Sequence, residues 1–280
     1  MTAVIHDPAV VTVVQARRGS SRLPDKVLRP LAGEPLLARL VERVRAARRV
    51  GVVVVATTTA PADDAIEALC RVRNWPVYRG HTTDLLDRHF WAALMYGAEA
   101  VVKIPSDCPL ISPRVIDKVL SAYLDDPRRW DYVSNLHPPT YPDGNDVEVM
   151  SFAALEKAWR QSVLPFEREH TTPFLWDNPE RFMCHNVVWE TGRNYSMTHR
   201  WTIDYEDDYR FVKSVYDELH PRSPLFELEE ILDLLERRPE LHRINARYAG
   251  VNWYRHHLGE LKTIAACDTR FVEGGEKACP

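Results

Sequence analysis

The chain is 280 residues long, 45% hydrophobic, and carries a formal charge of −4 from 36 basic and 40 acidic side chains. That length and apolar content suffice for one large α/β domain or two small ones, without disulfide or metal staples. Because Lys and Arg are offset by Asp and Glu rather than gathered in one block, the balance argues against a nucleic-acid partner, and any anion site must be local.

Met1 to Ala9 contains His6, Asp7 and Pro8 and lacks the apolar centre of a signal peptide. No run approaches a membrane span, so a cytoplasmic protein without a membrane partner is expected, with a flexible start over residues 1–10. Cys70, Cys108, Cys184, Cys267 and Cys279 are scattered, odd in number and form no Cys-x-x-Cys pair. Disulfides and structural zinc are therefore not expected.

Val11 to Gln15 is dominated by Val and too short for a helical period, and it reads as a buried strand. The stretch after it, Ala16-Arg17-Arg18-Gly19-Ser20-Ser21-Arg22-Leu23-Pro24-Asp25-Lys26, is small, polar and cationic. Arg17, Arg18, Arg22 and Lys26 place four cations within ten residues, while Gly19, Ser20 and Ser21 let backbone amides approach a ligand. A planar Arg fork combined with a mobile Lys charge suits a polyphosphate. A solvated basic loop is the alternative reading. The stretch is neither a Walker P-loop nor Gly-x-Gly-x-x-Gly.

Glu34-Pro35 opens an amphipathic helix through about Arg48, followed by a buried strand from Val50 to Thr57. Pro61 starts a helix carrying Ile66, Leu69 and Cys70; Pro76 to Tyr78 is a short strand; Thr83 to Tyr96 is a helix. Ala100 to Ile104, Pro113 to Leu124 and Tyr132 to Ser134 continue as strand, helix and strand. This alternation predicts a mostly parallel sheet with helices on both faces and a ligand site at the carboxyl ends of the strands. From about Asn135 the rhythm changes, and Asp146 to Met150 reads as a half-buried strand in a hairpin or arm added to the core. Phe152 to Gln161 and Pro165 to Trp176 read as helices, and Arg181 to Glu190 and Arg200 to Ile203 as strands. Glu206 to Leu219 and Leu228 to Arg237 are helical, the aromatic segment Ile244 to His257 packs back on the body, and the last dozen residues fray.

Three further segments carry chemistry. Lys103-Ile104-Pro105-Ser106-Asp107-Cys108-Pro109-Leu110 brings Asp107 off a strand at the edge where Arg17 and Lys26 sit. Mg²⁺ takes one or two carboxylates, with phosphates and water completing its octahedron, so Asp107 is the natural first ligand. An Asx-turn or cap role before Pro109 is the alternative. Asp204, in Arg200-Trp201-Thr202-Ile203-Asp204-Tyr205-Glu206-Asp207-Asp208, is a second strand-end carboxylate, and equally a good cap for the next helix. Tyr141-Pro142-Asp143-Gly144-Asn145-Asp146-Val147-Glu148 puts three carboxylates on a turn and strand, where sugar hydroxyls would be donors. Glu167-Arg168-Glu169-His170-Thr171-Thr172-Pro173 supplies cations, with Arg168 or Arg200 able to fork onto a substrate carboxylate. A structural salt-bridge network explains these two segments as well. The His256-His257 pair reads as packing or surface, because adjacent helical residues point apart.

Taken in order, these motifs resemble the cytidylyltransferases that make CMP-activated acidic sugars. The nearest branch is the SpsF-type spore-coat polysaccharide proteins, relatives of the CMP-KDO and CMP-sialate synthetases. Gln15 stands where better-known members carry Pro, Asp25 where Gly usually precedes the Lys, and Ser106 where the Gly-Asp-x-Pro-Leu motif has Gly. The resemblance implies a three-layer α/β/α nucleotide-diphospho-sugar transferase-like, Rossmann-like fold with an inserted hairpin or dimerisation arm. It implies a cytidylyltransferase domain over 11–220, an arm or substrate region at about 135–200, and a helical extension over 221–280.

The implied reaction is Mg²⁺-dependent transfer of CMP from CTP to an acidic 2-keto-3-deoxy sugar by a homodimer. Arg17, Lys26, Asp107 and Asp204 would be catalytic, with Asp107 and Asp204 on the metal. Gln15, Ala16, Arg17, Gly19, Ser20, Ser21, Arg22, Lys26 and Ser106 would bind the nucleotide. Arg79, Asp84 and Asp87, from Arg79-Gly80 and Asp84-Leu85-Leu86-Asp87-Arg88, would face its base and ribose. Tyr141, Asp143, Asp146, Glu148, Arg168, Glu169, His170 and Arg200 would bind the sugar. Rival readings are a nucleotidyltransferase for a sugar phosphate or phosphonate, a glycosyltransferase on the same scaffold, and a silent nucleotide-binding subunit.

Overall fold

The computed structural model describes residues 8–271. The flexible start and the frayed tail expected from the sequence fall largely outside them, although Val10 already belongs to the first strand. In chain order the elements are β1 (Val10–Gln15), the two-residue pair β2 (Pro30–Leu31) and β3 (Glu34–Pro35), α1 (Leu36–Ala46), β4 (Val52–Thr58), α2 (Asp64–Val72), β5 (Val77–Gly80), α3 (Leu85–Met95), β6 (Ala100–Pro105) and α4 (Pro113–Leu124). There follow β7 (Tyr132–Ser134), β8 (Glu148–Ser151), α5 (Phe152–Gln161), α6 (Pro165–His170), α7 (Pro173–Trp176), β9 (Cys184–Asn186), α8 (Glu206–Leu219), α9 (Leu228–Arg237) and α10 (Pro239–Arg243).

One seven-stranded sheet orders them β5-β4-β1-β6-β8-β7-β9. β5, β4, β1 and β6 run parallel, β8 is antiparallel to both its neighbours, and β7 pairs in parallel with β9. Alternation along each strand divides the core into two layers. Val14, Val53, Val55, Val102, Ile104 and Val149 face α1, α4, α8 and α9, whereas Val11, Val13, Val54, Ala56, Val101 and Met150 face α3, α5 and the α6–α7 segment. The fold is therefore α/β/α, as expected. Leu228, Ile231 and Leu235 of α9 share the first layer, so the C-terminal helices complete the core rather than append to it.

Four local expectations need correction. The strand over 146–150 is not half-buried: Glu148, Val149 and Met150 are buried on both faces, because the hairpin lies inside the sheet with β8 between β6 and β7. The single helix over 165–176 is two, broken where Thr171 adopts a positive φ of 74° before Pro173. The strand over 181–190 shortens to Cys184–Asn186. Residues 200–203 form no ladder strand; Arg200 makes one isolated parallel bridge with Asp143.

Candidate active site

The loop after β1 is pinned from below. The Arg18 amide donates to Asp63 Oδ1 at 2.8 Å, its guanidinium reaches Asp25 at 2.6 Å and the Ala62 carbonyl at 2.9 Å, and the Asp25 amide returns to the Arg18 carbonyl at 3.1 Å. Arg18 is thus part of the scaffold rather than a phosphate ligand. Asp25 has φ 60°, the left-handed region that favours Gly and tolerates Asp. Its charge is turned onto Arg18, not onto Lys26. Arg17, Gly19, Ser21 and Arg22 remain exposed along the loop, with Ser20 half-buried.

Lys26 turns inward at the end of this loop. Its Nζ lies 3.0 Å from Asp107 Oδ2 and 3.2 Å from Asp204 Oδ1, and donates to the Ile203 carbonyl at 2.6 Å. Burial by itself would lower the Lys26 pKa, but Asp107 and Asp204 more than offset it, so the ammonium is held above its ordinary value. Arg22 adds a second cation, 2.9 Å from Asp204 Oδ1. The cap alternatives for both carboxylates fail: α4 is capped by Ser112, and Asp208 Oδ2 accepts from the amides of Asp204 and Tyr205 ahead of α8. Asp204 is left to its cations, which overcome burial and keep its carboxyl well below the usual range.

Arg200 organises the far wall. It is 3% exposed, and donates to Asp208 at 3.0 Å, Asp204 at 2.9 Å, Asp143 at 3.2 Å and the Val251 carbonyl at 3.2 Å. Asp143 and Arg200 are paired because the 143–145 turn lies against the 201–202 backbone. Gly144 has φ 109°, and a Cβ there would sit 2.7 Å from the Trp201 carbonyl carbon. Glu148 accepts from Lys103 and, at 2.6 Å, from the Tyr132 hydroxyl. Asp146 takes the Gly144 amide at 3.2 Å, and burial together with Asp107 and Glu148 lifts its pKa to about 6.

These groups line a cavity of about 270 Å³. Gln15, Arg22, Asp107, Tyr141, Asp143, Asp146, Glu148, His170, Arg200 and Asp204 all face it, so the structure brings ten of the sequence-derived candidates together. Three nucleotide candidates are engaged elsewhere. Arg79 is saturated by Asp64 at 2.7 Å, Glu67 at 2.6 Å and the carbonyls of Thr58 and Ala60. Asp84 caps α3 and accepts from Arg168 at 2.6 Å, and Asp87 accepts from the indoles of Trp91 and Trp159. Arg168, held by Asp84 and the Trp159 carbonyl, lies away from the cavity, and Glu169 is exposed. Ala16 continues the sheet, its amide donating a hydrogen bond to the Ala56 carbonyl at 3.0 Å, and Ser106 is buried beside Asp107.

The sequence reading missed one wall of the cavity. His137 stacks on Trp176 with centroids 4.1 Å apart, and Trp253 stacks on His170 at 3.8 Å, both pairs lining the space with Tyr254 and Lys103. Lys103 was detectable as a cation inside an otherwise apolar strand; the aromatic wall depends on the fold of 244–257 onto α6 and α7.

Residues 11–250 match the cytidylyltransferase family. Bacillus subtilis spore coat polysaccharide biosynthesis protein SpsF is 29% identical over 244 residues, 82% of this chain and 95% of that protein. The 3-deoxy-manno-octulosonate cytidylyltransferase of Anaeromyxobacter dehalogenans is 40% identical over a shorter stretch of 116 residues, 40% of this chain and 46% of that enzyme. A solved cytidylyltransferase from Leptospira borgpetersenii superposes with a TM-score of 0.79 at 31% identity, over 84% of this chain and 96% of that one. With a match that spans nearly every described element, the chain belongs to the cytidylyltransferase family and is a nucleotidyltransferase.

Proposed function

We propose that the protein transfers CMP from CTP to an acidic 2-keto-3-deoxy sugar, giving a CMP-sugar and pyrophosphate. The observation that carries this reading is the convergence of Asp107 and Asp204 on one ammonium, between a cationic loop on one side and a sugar-sized cavity on the other. Among the described residues no three His, Cys, Asp or Glu side chains form a metal centre. Two converging carboxylates are nevertheless what Mg²⁺ needs when phosphate oxygens and water supply the rest, so Asp107 and Asp204 would hold it. Bound there, Mg²⁺ would offset phosphate charge and make the acceptor hydroxyl more acidic.

The chain's own work is positioning and charge neutralisation. Arg17 and the loop amides would hold the departing pyrophosphate, while Lys26 keeps Asp107 and Asp204 in register. The anomeric hydroxyl oxygen bonds to the α-phosphorus in line as the bond from that phosphorus to the β-bridging oxygen breaks, and the hydroxyl proton passes to solvent. Tyr141, Asp143, Asp146 and Glu148 offer acceptors to sugar hydroxyls, and the rings of Trp176, Trp253 and His170 offer apolar faces. The name of the Anaeromyxobacter relative supports a 2-keto-3-deoxy acid as acceptor.

The cavity also favours a second reading. Its lining has six carboxylates, Asp107, Asp143, Asp146, Glu148, Asp204 and Asp268, against the four cations Arg22, Lys103, Arg200 and Arg255, and Arg200 already holds three acids. An uncharged polyol acceptor would need no further cation. Pyrophosphate release with Mg²⁺ and each of the four NTPs, against KDO, sialic, legionaminic and pseudaminic acids, neutral sugars, sugar phosphates and phosphonates, separates the readings. CTP-specific release with a keto acid supports the first; release only with a neutral or phosphorylated acceptor overturns it.

A further inference from the structure

Beside the acceptor cavity lies a second, larger one of about 610 Å³, bounded by β7, β9 and the segment from Thr263 to Asp268. Leu136, His137, Pro139, Trp176, Met197 and Tyr254 line both, so the two spaces meet at the stacked rings of His137 and Trp176. Their chemistry differs. Among the described residues Asp268 is the one Asp, Glu, Lys or Arg side chain on the second cavity, against six acids and four cations on the first. The other polar side chains there are largely spent. Asn186 accepts from the His137 amide at 3.0 Å and donates to the Pro138 carbonyl at 2.9 Å, the Ser196 hydroxyl donates to Asn194 at 2.7 Å, and the Thr263 hydroxyl donates to Asp177 at 2.8 Å. His137 is the exception: its Nδ1 is buried without a hydrogen-bond partner among the described residues. Leaving such an atom unpaired is costly, and a ligand that pairs with it recovers that cost. Burial holds the His137 pKa down at about 4, so the ring is neutral and draws no anion.

We propose that the second cavity receives an uncharged acylamido substituent of the acceptor sugar, longer than acetyl, whose amide meets Nδ1 of His137 and whose chain lies among Pro138, Pro179 and Ile264. This rests on the reading that the first cavity holds the acceptor ring. A phosphate or carboxylate substituent would find no cation in the second cavity, and a further sugar ring would find its hydroxyls facing groups already paired. An acyl chain needs only apolar walls and one polar partner at its root. A neutral imidazole supplies that partner in either tautomer, accepting from an amide N–H or donating to an amide carbonyl. Because the second space is more than twice the volume of the first, an acetyl group would leave most of it unfilled.

The test titrates the full chain calorimetrically with two series, neuraminic acid and glucosamine, each N-acylated with acetyl, butanoyl or hexanoyl. Affinity should rise about 10-fold or more from acetyl to hexanoyl. Ile264→Trp fills the cavity and should flatten that gain, while His137→Phe keeps the ring stacked on Trp176 and should weaken every member about 5-fold with the gain intact. The gain is read within each variant, so a partial loss of folded protein does not imitate it. A gain in the neuraminic series supports the proposal together with the keto-acid reading; a gain confined to the glucosamine series supports the proposal and overturns that reading. A flat series, no binding by any member, or a gain undiminished in Ile264→Trp overturns the proposal. Pyrophosphate release with unacylated KDO beside a flat series would leave the keto-acid reading standing alone. Wild-type affinity in His137→Phe would overturn the assignment of the amide to His137.

Discussion

Nζ of Lys26 lies 3.0 Å from Oδ2 of Asp107, although 81 residues separate them in the chain. The same ammonium touches Asp204, so one buried cation staples the loop after β1, the end of β6 and the entry to α8. These are the three segments that a nucleotidyl transfer must hold in register.

Replacing Lys26 by Met leaves Asp107 and Asp204 facing each other with only Arg22 and Arg200 to offset them. The expected result is a loss of stability of about 3 kcal/mol, since the pair is mostly buried, and a fall in turnover of about 100-fold or more. Urea unfolding and steady-state pyrophosphate release measure the two separately. Turnover within threefold of the wild type would reduce Lys26 to a structural staple.

Asp107→Asn tests the metal assignment with little structural disturbance. The Asp107 carbonyl, not its side chain, accepts from the Ile203 amide at 2.9 Å and the Thr202 hydroxyl at 3.3 Å, and both bonds survive the change. Turnover should become undetectable while the melting temperature stays within a few degrees. Near-normal activity at the usual Mg²⁺ concentration would remove Asp107 from the metal site.

Arg200 is a different kind of residue, because its partners are themselves site residues. A lysine there has one ammonium in place of a fork that reaches Asp143, Asp204 and Asp208 at once, and one or more of these acids is left unpaired in a buried place. Arg200→Lys should cost about 3 kcal/mol, which for a chain of this size lowers the melting temperature by about 5 °C. Differential scanning calorimetry decides it; a shift under 2 °C would show that solvent replaces the fork.

The alternation of valine strands and amphipathic helices made the sheet legible, because strands buried on both faces read as short continuous apolar runs. Lys26, Asp107 and Asp204 were legible as ends of strands or loops with the right charges. What the sequence hid was consumption. Arg79, Asp84 and Arg168 look like ligands in one dimension, and only tertiary packing shows their groups taken by Glu67, the α3 amides and one another. The break of the expected 165–176 helix at Thr171 was signalled by Pro173, which lacks the amide that a continuous helix would donate back to the carbonyl of Glu169.

The pH dependence of stability carries a signature of Asp146. Its folded pKa of about 6, raised by burial and by Asp107 and Glu148, stands above the unfolded value of about 4. A raised carboxyl opposes folding once the unfolded chain ionises, so its penalty is absent below about pH 4, grows between about pH 4 and 6, and is complete above. Asp204 has the opposite sign: its depressed carboxyl stabilises the fold above the unfolded pKa, and that contribution is lost only as the pH falls further into acid. His89, His137, His170 and His199, kept neutral by burial, also stabilise with rising pH through the same window, so the whole-protein curve does not isolate Asp146. The difference between Asp146→Asn and wild type does. In EDTA, urea unfolding should show the variant level with the wild type below pH 4 and about 2 kcal/mol more stable above pH 6, because Asn still accepts from the Gly144 amide without bringing a charge. A difference that stays flat across pH 4 to 7 would place the Asp146 carboxylate in a solvated, ordinary setting and remove it from the closed wall of the acceptor cavity.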